Sequence, residues 1–396
     1  MEIKNILEIS EVFELSEKLN KIMNNKEERE QYFHKIINAG LDLKTDFIRD
    51  LYQEEAAQRK QLKQDYTPDC LCNLFYQTAT EPHEILDECA GTGSLAIEYI
   101  NHGVDEITCI EKSKTVFPLL LMNMAIRNVS GYVVRGDIVE GEVYEIYKLK
   151  ATDTYSDIAK QDNYEAKKYQ TIISNPPYSL KWSGMWDERF FNYEMPPKSK
   201  ADYLFVLDIL YKLKEEGEAF VLLPHGVLFR GNQERTIRER VIQQGFIKGI
   251  IGLPDNMFLN TSIPTVLICI KKDNQQNGIY IMDATGYATK GKKTNVLTEE
   301  ALHTIAESYK EKIEIPKIAR MVSIKEIEQN EYNLNIPRYI DNFEEEEVPE
   351  LKDIVSDIIA INSEIKVTEN KLTEMMQNIT GGSYQSDISE VIKLWS

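Results

Sequence analysis

The sequence predicts an α/β fold in which a parallel sheet is covered by helices on both faces. Between residues 66 and 272, short β-prone runs alternate with helical stretches, which is the pattern of βαβ units. One β-prone run leads directly into a glycine-rich turn and a helix, at residues 85–95. Helical spacing dominates on both sides, in residues 11–62 and after residue 350. We therefore expect a central α/β domain between two helical segments.

Periodicity places the individual elements of the central region. Strands are expected at residues 84–86, 106–110, 131–135, 171–173, 218–223, 246–251 and 265–271. Helices are expected at residues 96–100, 116–126, 202–213 and 233–244. Two further stretches, residues 151–168 and 181–200, are expected to be insertions; the first is polar and the second carries several aromatic residues.

Length and composition narrow the class of protein. A chain of 396 residues is expected to form two or three folded units. It has no apolar run long enough to span a bilayer and no signal-peptide core, so we expect a cytoplasmic protein. Five cysteines are expected to be free thiols, since Cys70-Leu71-Cys72 lacks a second Cys or His pair for zinc, and we expect no metal site.

The net charge of the chain indicates how it could bind nucleic acid. At −19, the chain is far more acidic than proteins that grip nucleic acid alone, because phosphate neutralisation supplies most of their affinity. If the chain acts on nucleic acid, local basic segments or a partner protein must supply those contacts.

The stretch from Asp87 to Leu95 reads Asp-Glu-Cys-Ala-Gly-Thr-Gly-Ser-Leu and follows a β-prone run. Gly91 and Gly93 allow backbone amides to approach a ligand closely, and a helix N-terminus favours a carboxylate nearby. A Gly-x-Gly turn alone is also found in nucleotide binders, in flavoproteins and in ordinary tight turns. The sequence therefore predicts a ligand site here without naming the ligand.

Two acidic residues follow at later strand ends. Glu111 lies 24 residues after Asp87, where an acidic side chain can accept both hydroxyls of a ribose. Asp137 comes just after the β-prone run at residues 131–135 and is able to accept a hydrogen bond from an adenine amino group. Glu111 could instead be a helix cap, and Asp137 could form a turn with Gly136.

The motif Asn175-Pro176-Pro177-Tyr178 directly follows the strand at residues 171–173. A planar exocyclic amine must become pyramidal before it can attack a methyl sulfonium. The Asn175 side-chain oxygen and the Pro176 carbonyl can accept its two hydrogens and favour that geometry, while Tyr178 stacks on the ring. Pro177 stiffens the turn. This motif alone leaves a nucleobase and a side-chain amide open as substrates.

Together these motifs resemble the γ-type S-adenosylmethionine-dependent amino-methyltransferases of DNA. More closely, they resemble the modification (methyltransferase) subunits of type I restriction-modification systems. Further stretches carry the resemblance, at residues 64–68, 187–190, 197–203, 222–231, 252–265 and 332–339. Two departures are a helical N-terminal segment shorter than is usual in the family, and Glu88 where a proline commonly follows the acid of the glycine-rich motif.

The resemblance implies a Rossmann-like class I methyltransferase domain that transfers a methyl group from S-adenosylmethionine to the N6 amine of a flipped-out adenine. It implies catalytic roles for Asn175, Pro176, Pro177 and Tyr178. The segment at residues 64–68 resembles the one that packs against the methionine end of the cofactor. The implied cofactor-binding residues are Gln64, Asp65, Tyr66, Thr67, Pro68, Asp87, Gly91, Thr92, Gly93, Ser94, Glu111, Asp137 and Asn175.

The C-terminal segment predicts a docking element. Leu351, Ile358, Ile365, Leu372 and Ile379 recur every seven residues, with a companion seam that includes Thr368, which indicates a coiled-coil helix. A helix lying on its own domain is the alternative. We expect three domains: residues 1–63 (helical), 64–340 (catalytic) and 341–396 (tail). The resemblance implies that the tail docks a separate specificity subunit, which would choose the target in double-stranded DNA.

Several alternatives stay open at this point. The family resemblance suggests two methyltransferase subunits per specificity subunit and an ATP-dependent restriction subunit, but the sequence fixes neither. A protein-glutamine methyltransferase would use the same Asn-Pro-Pro-Tyr chemistry on a side-chain amide. A catalytically inactive assembly protein and a cytosine-N4 methyltransferase are further alternatives.

Overall fold

The computed structural model describes residues 2–56, 66–164, 167–273, 275, 278–341, 350–378, 388, 390 and 391. The chain divides into two compact units, Met1–Asn342 and Phe343–Ser396. The expected boundary between residues 63 and 64 lies outside the described residues, and the division into three domains stays a prediction.

Within the described residues 2–56, the chain forms four α-helices: α1 (Glu2–Leu7), α2 (Leu15–Asn24), α3 (Lys26–Asn38) and α4 (Phe47–Ala56). The last three lie within residues 11–62, where the sequence predicts helical spacing. Asn25 separates α2 from α3, and its side-chain oxygen accepts hydrogen bonds from the amides of Glu27 and Glu28 at 3.1 and 3.3 Å. These bonds satisfy amide groups that a helix start would otherwise leave unpaired.

The strands of the main sheet run from an antiparallel edge through a parallel centre to a second antiparallel edge. In chain order, the strands are β1 (Ile85–Glu88), β2 (Glu106–Glu111), β3 (Ser130–Asp137), β4 (Glu142–Lys150), β5 (Asp157–Gln161), β6 (Tyr169–Ser174), β7 (Leu213–Pro224), β8 (Ile247–Gly252), β9 (Thr265–Lys271), β10 (Ile279–Asp283), β11 (Thr289–Lys290), β12 (Asn295–Val296) and β13 (Ala319–Val322). The main sheet has the order β13-β10-β8-β9-β7-β6-β1-β2-β3-β4-β5, and β11 and β12 form a separate ribbon.

The remaining helices are α5 (Asp69–Thr78), α6 (Ser94–Asn101), α7 (Phe117–Ile126), α8 (Asp202–Lys212), α9 (Gln233–Gln243), α10 (Glu299–Glu311), α11 (Ile324–Gln329) and α12 (Leu351–Gln377).

The parallel order expected from strand–helix alternation holds at the centre, from β7 through β6, β1 and β2 to β3, and again between β8 and β10. β9 lies antiparallel between β7 and β8, because residues 253–264 connect β8 to β9 without a helix and so return the chain along its own edge. Likewise β4 and β5 extend the other edge as antiparallel strands. The stretch at residues 151–168, expected to be a polar insertion, therefore contributes an edge strand.

Helices cover both faces of the sheet and make two hydrophobic cores. Ile85 and Leu86 are neighbours on β1 and both fully buried, yet they belong to opposite cores, since successive side chains of a strand point to opposite faces. The first core includes residues of α2, α5, α6, α7 and α10, and the second includes residues of α8 and α9.

Helix α7 explains why the N-terminal helices belong to the same compact unit as the sheet. All ten of its residues are buried, which requires cover on every side. One side packs on β3 and another on α2, which contributes Leu15, Leu19 and Ile22. Each of these side chains stabilises the fold by roughly 1.5–3 kcal/mol through burial.

The order of the strands places a crevice beside β1. After β1 the chain builds β2 and β3 on one side, and it then returns to the other side with β6 and β7. Ligands of such sheets bind outside the carboxyl ends of the strands, at this switch of direction. The carboxyl ends of β1, β2, β3 and β6 carry Asp87, Glu111, Asp137 and, directly after Ser174, Asn175.

The second unit consists, in its described part, mainly of α12, of which no residue is buried. Leu351, Ile358 and Ile365 have exposed fractions of 77%, 52% and 48%. The fourth seam residue Leu372 also lies on this helix, whereas Ile379 lies outside the described residues. Among the helices that the structure describes, none has the length and apolarity that crossing a membrane requires.

Candidate active site

The glycine-rich turn between β1 and α6 provides an open backbone surface at the crevice. Gly91 and Gly93 have φ angles of +58° and +95°, which residues with a Cβ rarely adopt. The ring of Tyr66 lies directly above the turn, because a Cβ added at Gly91 would be 3.5 Å from its Cε1 atom. The structure therefore brings the predicted Tyr66 and Gly91 together.

Asp87 lies beneath this turn and is completely buried. Its Oδ2 atom accepts a hydrogen bond from the Ala96 amide at 3.2 Å, while Oδ1 has no hydrogen-bond partner among the described residues. Burial raises the pKa of Asp87 well above its ordinary value; the Ala96 amide lowers that pKa and the Glu111 charge raises it further. An acceptor oxygen without a donor at a ligand crevice is an unfilled hydrogen-bonding position.

Glu111 connects the glycine-rich turn to the end of β2 through hydrogen bonds. Its Oε2 atom accepts from the Gly91 amide at 3.0 Å and its Oε1 atom accepts from the Ser113 amide at 2.6 Å. Burial raises the pKa of Glu111, and the amides of Ser113, Gly91 and Lys112 oppose that shift. Each carboxylate oxygen can still accept one more hydrogen bond. The predicted contact with ribose hydroxyls is compatible with this geometry and stays a prediction.

Asp137 is engaged by its own turn. Its Oδ1 atom accepts from the Val139 amide at 2.9 Å, and its Oδ2 atom lies 2.5 Å from the Lys112 ammonium. This is the turn-forming role that the sequence left as the alternative. Its expected contact with an adenine amino group is untested and stays a prediction.

Thr67, Asn175 and Tyr178 form a hydrogen-bonded chain. The Asn175 side-chain nitrogen donates to the Thr67 hydroxyl oxygen at 2.9 Å, and the Tyr178 hydroxyl donates to the Asn175 Oδ1 atom at 3.0 Å. In this arrangement the amide nitrogen of Asn175 lies toward Thr67 and the amide oxygen lies toward Tyr178. An amide oxygen accepts two hydrogen bonds, so Oδ1 retains one position for a further donor.

The prolines of the motif differ in environment. Pro176 is buried and Pro177 is exposed, while Asn175 and Tyr178 are half-buried. The ring of Tyr178 stands edge-on to Phe258, with centroids 6.4 Å apart and planes at 82°. The motif therefore presents an amide and an aromatic ring at a partly open surface.

A buried aspartate, absent from the sequence prediction, anchors the end of the motif. Asp202 begins α8 and is completely buried; its Oδ1 atom accepts from the Ser179 amide at 2.7 Å, and its Oδ2 atom accepts from Arg230 at 2.7 Å. Ser179 has a φ of +53°, so this bond holds a strained backbone in place.

The described part of the predicted cofactor segment, residues 66–68, is anchored through the N-terminal helices. Arg49 of α4 donates to the Thr67 carbonyl at 3.2 Å and pairs with Asp69 at 2.6 Å. Pro68 begins α5. Gln64 and Asp65, which were also predicted to bind the cofactor, lie outside the described residues.

Asp46 is a second residue that sequence reasoning missed as part of the site. Its Oδ2 atom accepts from the hydroxyls of Thr92 and Ser94 at 2.6 and 2.7 Å, and its Oδ1 atom accepts from the Asn123 side chain at 2.9 Å. The hydroxyls predicted to bind cofactor are thus engaged by the N-terminal segment. Sequence alone does not reveal this role, because the partners of Asp46 are distant along the chain.

The aromatic insertion at residues 181–200 divides between core and surface. Trp182 and Phe190 are buried and pack against each other with ring centroids 5.5 Å apart. Trp186 and Phe191 are exposed by 56% and 78%. Arg189 of the insertion is buried against the turn that follows β3, where it donates a hydrogen bond to the Val139 carbonyl at 3.2 Å. This bond fixes the insertion beside Asp137.

The sequence profile described as N-6 DNA Methylase matches residues 46–348 of this chain. The chain belongs to the N-6 DNA methylase family. The resemblance found in the sequence and the predicted α/β methyltransferase fold are therefore confirmed. The match begins at Asp46, so the hydrogen bonds between Asp46 and the glycine-rich turn lie within the family region.

The known proteins that the chain resembles agree with this family assignment. The methylase subunit of the type I restriction enzyme MpnII of Mycoplasma pneumoniae is 27% identical, over 84% of this chain and 63% of that protein. That of MjaVIII of Methanocaldococcus jannaschii is 27% identical, over 83% and 57%. The crystal structure of a type I methyltransferase subunit of Streptococcus thermophilus is 32% identical, with a TM-score of 0.64, over 80% of this chain and 69% of that one. The chain thus spans about 60% of these curated relatives' length.

Proposed function

We propose that this N-6 DNA methylase transfers a methyl group from S-adenosylmethionine to the N6 amine of an adenine in DNA. One observation carries the proposal: the Asn175 amide is held by Thr67 on one side and Tyr178 on the other, directly after β6 and beside the glycine-rich turn. This arrangement offers acceptors for an amine at the same sheet edge as a nucleoside-binding surface.

The residues at the crevice fit S-adenosylmethionine. Gly91 leaves the turn open beneath the Tyr66 ring, Asp87 offers an oxygen that lacks a donor, and Glu111 keeps acceptor capacity for ribose hydroxyls. Bound there, the cofactor supplies a methyl group on a positively charged sulfur. We propose the other predicted contacts, by Thr67, Pro68, Thr92, Gly93, Ser94 and Asp137, as parts of the same site.

The protein's own contribution is to hold the amine and its ring. The free position on the Asn175 Oδ1 atom and the Pro176 carbonyl accept the two N6 hydrogens, which favours a pyramidal nitrogen with an available lone pair. Tyr178 stacks on the base, and its hydroxyl keeps the Asn175 oxygen in register.

Methyl transfer then needs no side chain of the protein to act as a base. In the proposed site the N6 lone pair would form the new C–N bond while the C–S bond of the bound cofactor breaks, which would leave a neutral thioether. The nitrogen momentarily carries a positive charge, and its extra proton passes to solvent through the half-open face of Asn175. The side chains act by position and charge complementarity rather than by proton abstraction.

The target adenine must leave the duplex, since its amine is unreachable within the stack. Exposed apolar side chains of the insertion, Trp186 and Phe191, lie on the segment that directly follows the motif. We propose that they contact the opened DNA, while Trp182 and Phe190 hold the segment in place.

A partner chooses the target sequence in this proposal. The chain carries a net charge of −19, and α12 exposes an apolar seam at Leu351, Ile358 and Ile365. Relatives are named as subunits of type I restriction enzymes. We propose that α12 docks a specificity subunit through this seam and that the specificity subunit supplies much of the DNA contact.

Methyl transfer from tritiated S-adenosylmethionine tests the proposed reaction. The full chain, purified with its partner from the native host, is incubated with host DNA that lacks the modification, and the labelled nucleosides are identified by mass spectrometry. N6-methyladenine is expected. Asn175→Ala should lower transfer by roughly 100-fold or more, whereas the exposed Asn20→Ala should not change it. Label in protein glutamine or in N4-methylcytosine would contradict the proposal.

A further inference from the structure

A cavity of about 470 Å³ lies between the start of α9 and the segment that follows α11. Three arginines line it, Arg235, Arg238 and Arg338, together with Asn330 and Asn333. Four of the chain's twelve arginines fall between positions 230 and 240. In a chain of net charge −19, such a concentration of guanidinium groups around one cavity indicates an anionic ligand.

The cavity lies at the same sheet edge as the proposed active site. β7 pairs with β6 in parallel, so the chain leaving β7 at Pro224 emerges beside the Asn175 motif. Asp202 joins the two places directly: it accepts from the Ser179 amide, just after the motif, and from Arg230. Arg230 in turn accepts, through its carbonyl, a hydrogen bond of 3.0 Å from the cavity residue Arg238.

Positive charge in the cavity is only partly balanced. Arg238 is 1% exposed, and its guanidinium donates to the carbonyls of Tyr332 and Val227 at 2.7 and 3.1 Å. Carbonyl groups satisfy its hydrogen bonds without neutralising its charge. Arg338 donates to the Asn330 side-chain oxygen at 3.3 Å. Among the residues that the structure describes, neither arginine has a carboxylate partner within 4 Å.

The carboxylates nearby are occupied elsewhere or exposed. Asp202 and Glu234 lie 2.7 and 3.1 Å from Arg230, which holds both. Arg235 lies 3.4 Å from Glu331, but their side chains are 46% and 75% exposed, and such surface pairs contribute little. A ligand anion would therefore meet the exposed guanidinium groups of Arg235 and Arg338, with the buried charge of Arg238 behind them, and one loosely held carboxylate.

We infer that this cavity binds a phosphodiester group of the DNA strand that carries the target base. Guanidinium groups present parallel N–H donors that match phosphate oxygens. Phe229, 44% exposed at the cavity wall, offers an apolar surface beside the charged one for a sugar or base. The inference rests on the proposed function, and it assigns a strand-positioning role to a site outside the catalytic motif.

The test uses the full chain and a fluorescent double-stranded oligonucleotide, with affinity measured by anisotropy over a series of salt concentrations. The double variant Arg235→Gln/Arg338→Gln removes two guanidinium groups and leaves the buried Arg238 intact. Arg240→Gln is the matched control, because Arg240 is exposed on the same helix outside the cavity wall.

The double variant should bind DNA about 10-fold or more weakly at low salt. The slope of log affinity against log salt should become shallower by about one, as expected when one phosphate contact is lost. S-adenosylmethionine binding, measured by calorimetry, should not change. Unaltered DNA affinity and slope in the double variant, an equal loss in Arg240→Gln, or no DNA binding by the wild type would overturn the inference.

The same proteins separate this inference from the proposed function. If the double variant loses DNA affinity but the wild type places no methyl group on adenine, the phosphate site stands and the reaction is wrong. If the wild type methylates adenine and the double variant binds DNA normally, the reaction stands and the phosphate site is wrong.

Discussion

The side-chain nitrogen of Asn175 donates a hydrogen bond to the hydroxyl oxygen of Thr67 at 2.9 Å. The two residues are separated by more than one hundred positions, and they belong to the two motifs that the sequence assigned to cofactor binding and to catalysis. This bond holds the Asn175 amide nitrogen toward Thr67, while the Tyr178 hydroxyl bonds the amide oxygen. It therefore joins the predicted cofactor segment directly to the Asn-Pro-Pro-Tyr motif.

Replacing Thr67 by valine removes the acceptor for the Asn175 nitrogen while preserving shape. We expect kcat for DNA methylation to fall by about 10-fold or more, since a polar group left unpaired costs about 1–3 kcal/mol and its amide is free to turn. Thr67→Ser keeps the hydroxyl and should restore most of kcat. Steady-state kinetics check both variants, and equal losses in the two would contradict the orienting role.

Tyr178 has a hydroxyl that bonds Asn175 and a ring proposed to stack on the base, and two variants separate these contributions. Tyr178→Phe keeps the ring but loses the 3.0 Å bond to Asn175, and it should reduce kcat about 2- to 10-fold. Tyr178→Ala also loses the ring and should reduce kcat further, by about 100-fold in total. Single-turnover methylation measures the difference. A Phe variant as impaired as the Ala variant would show that stacking is not the ring's role.

The strands and motifs were predictable where the signal is local. The apolar runs at β1, β2 and β6 end in, or directly before, polar residues that are able to bind a ligand. Both the strands and the edge of the sheet that carries the site could therefore be predicted from the sequence. Asp46 and Asp202 were missed as site residues because each acts through partners far along the chain. The antiparallel strands β4 and β5 were missed because exposed edge residues carry little hydrophobic periodicity.

Asp46 should be required to fix the glycine-rich turn. Asp46→Ala leaves the buried hydroxyls of Thr92 and Ser94 and the Asn123 amide without their acceptor, which should lower the free energy of unfolding by roughly 2–5 kcal/mol. Urea unfolding measures this change. Asp42→Ala, at an exposed position of the same segment, should cost about 1 kcal/mol or less. Equal losses of unfolding free energy in the two variants would show that the hydrogen bonds to Asp46 do not stabilise the glycine-rich turn.

Asp87 should make stability depend on pH. A carboxyl group whose pKa is raised on folding binds more protons in the folded chain than in the unfolded one. Its contribution to stability is full below the ordinary pKa of about 3.9 and is lost as the pH rises toward the folded value. Relative to Asp87→Asn, the wild type should therefore lose free energy of unfolding as the pH rises above about 4.

Urea titrations at several pH values, without cofactor, measure that difference. The exposed Asp153→Asn variant should differ from the wild type by a constant amount across the same range. A constant difference for Asp87→Asn as well would show that Asp87 is not held protonated by burial.

The apolar seam of α12 should carry subunit assembly. Ile358→Glu with Ile365→Glu places charges on two exposed seam positions and should abolish co-purification of the partner, while S-adenosylmethionine binding persists. Ser363→Glu, on the same helix outside the seam, should leave assembly intact. Pull-down from the native host measures both. Retained assembly in the double variant, or in a chain that lacks residues 351–396, would contradict the docking role.

Methylome sequencing of the native host tests the central claim most directly. Deletion of the gene for this chain should remove N6-methyladenine from one recognition sequence, and the wild-type chain should restore it. Asn175→Ala should fail to restore it even though the protein is present and assembled. An unchanged methylome after deletion, loss of a cytosine modification instead, or restoration by Asn175→Ala would contradict the account.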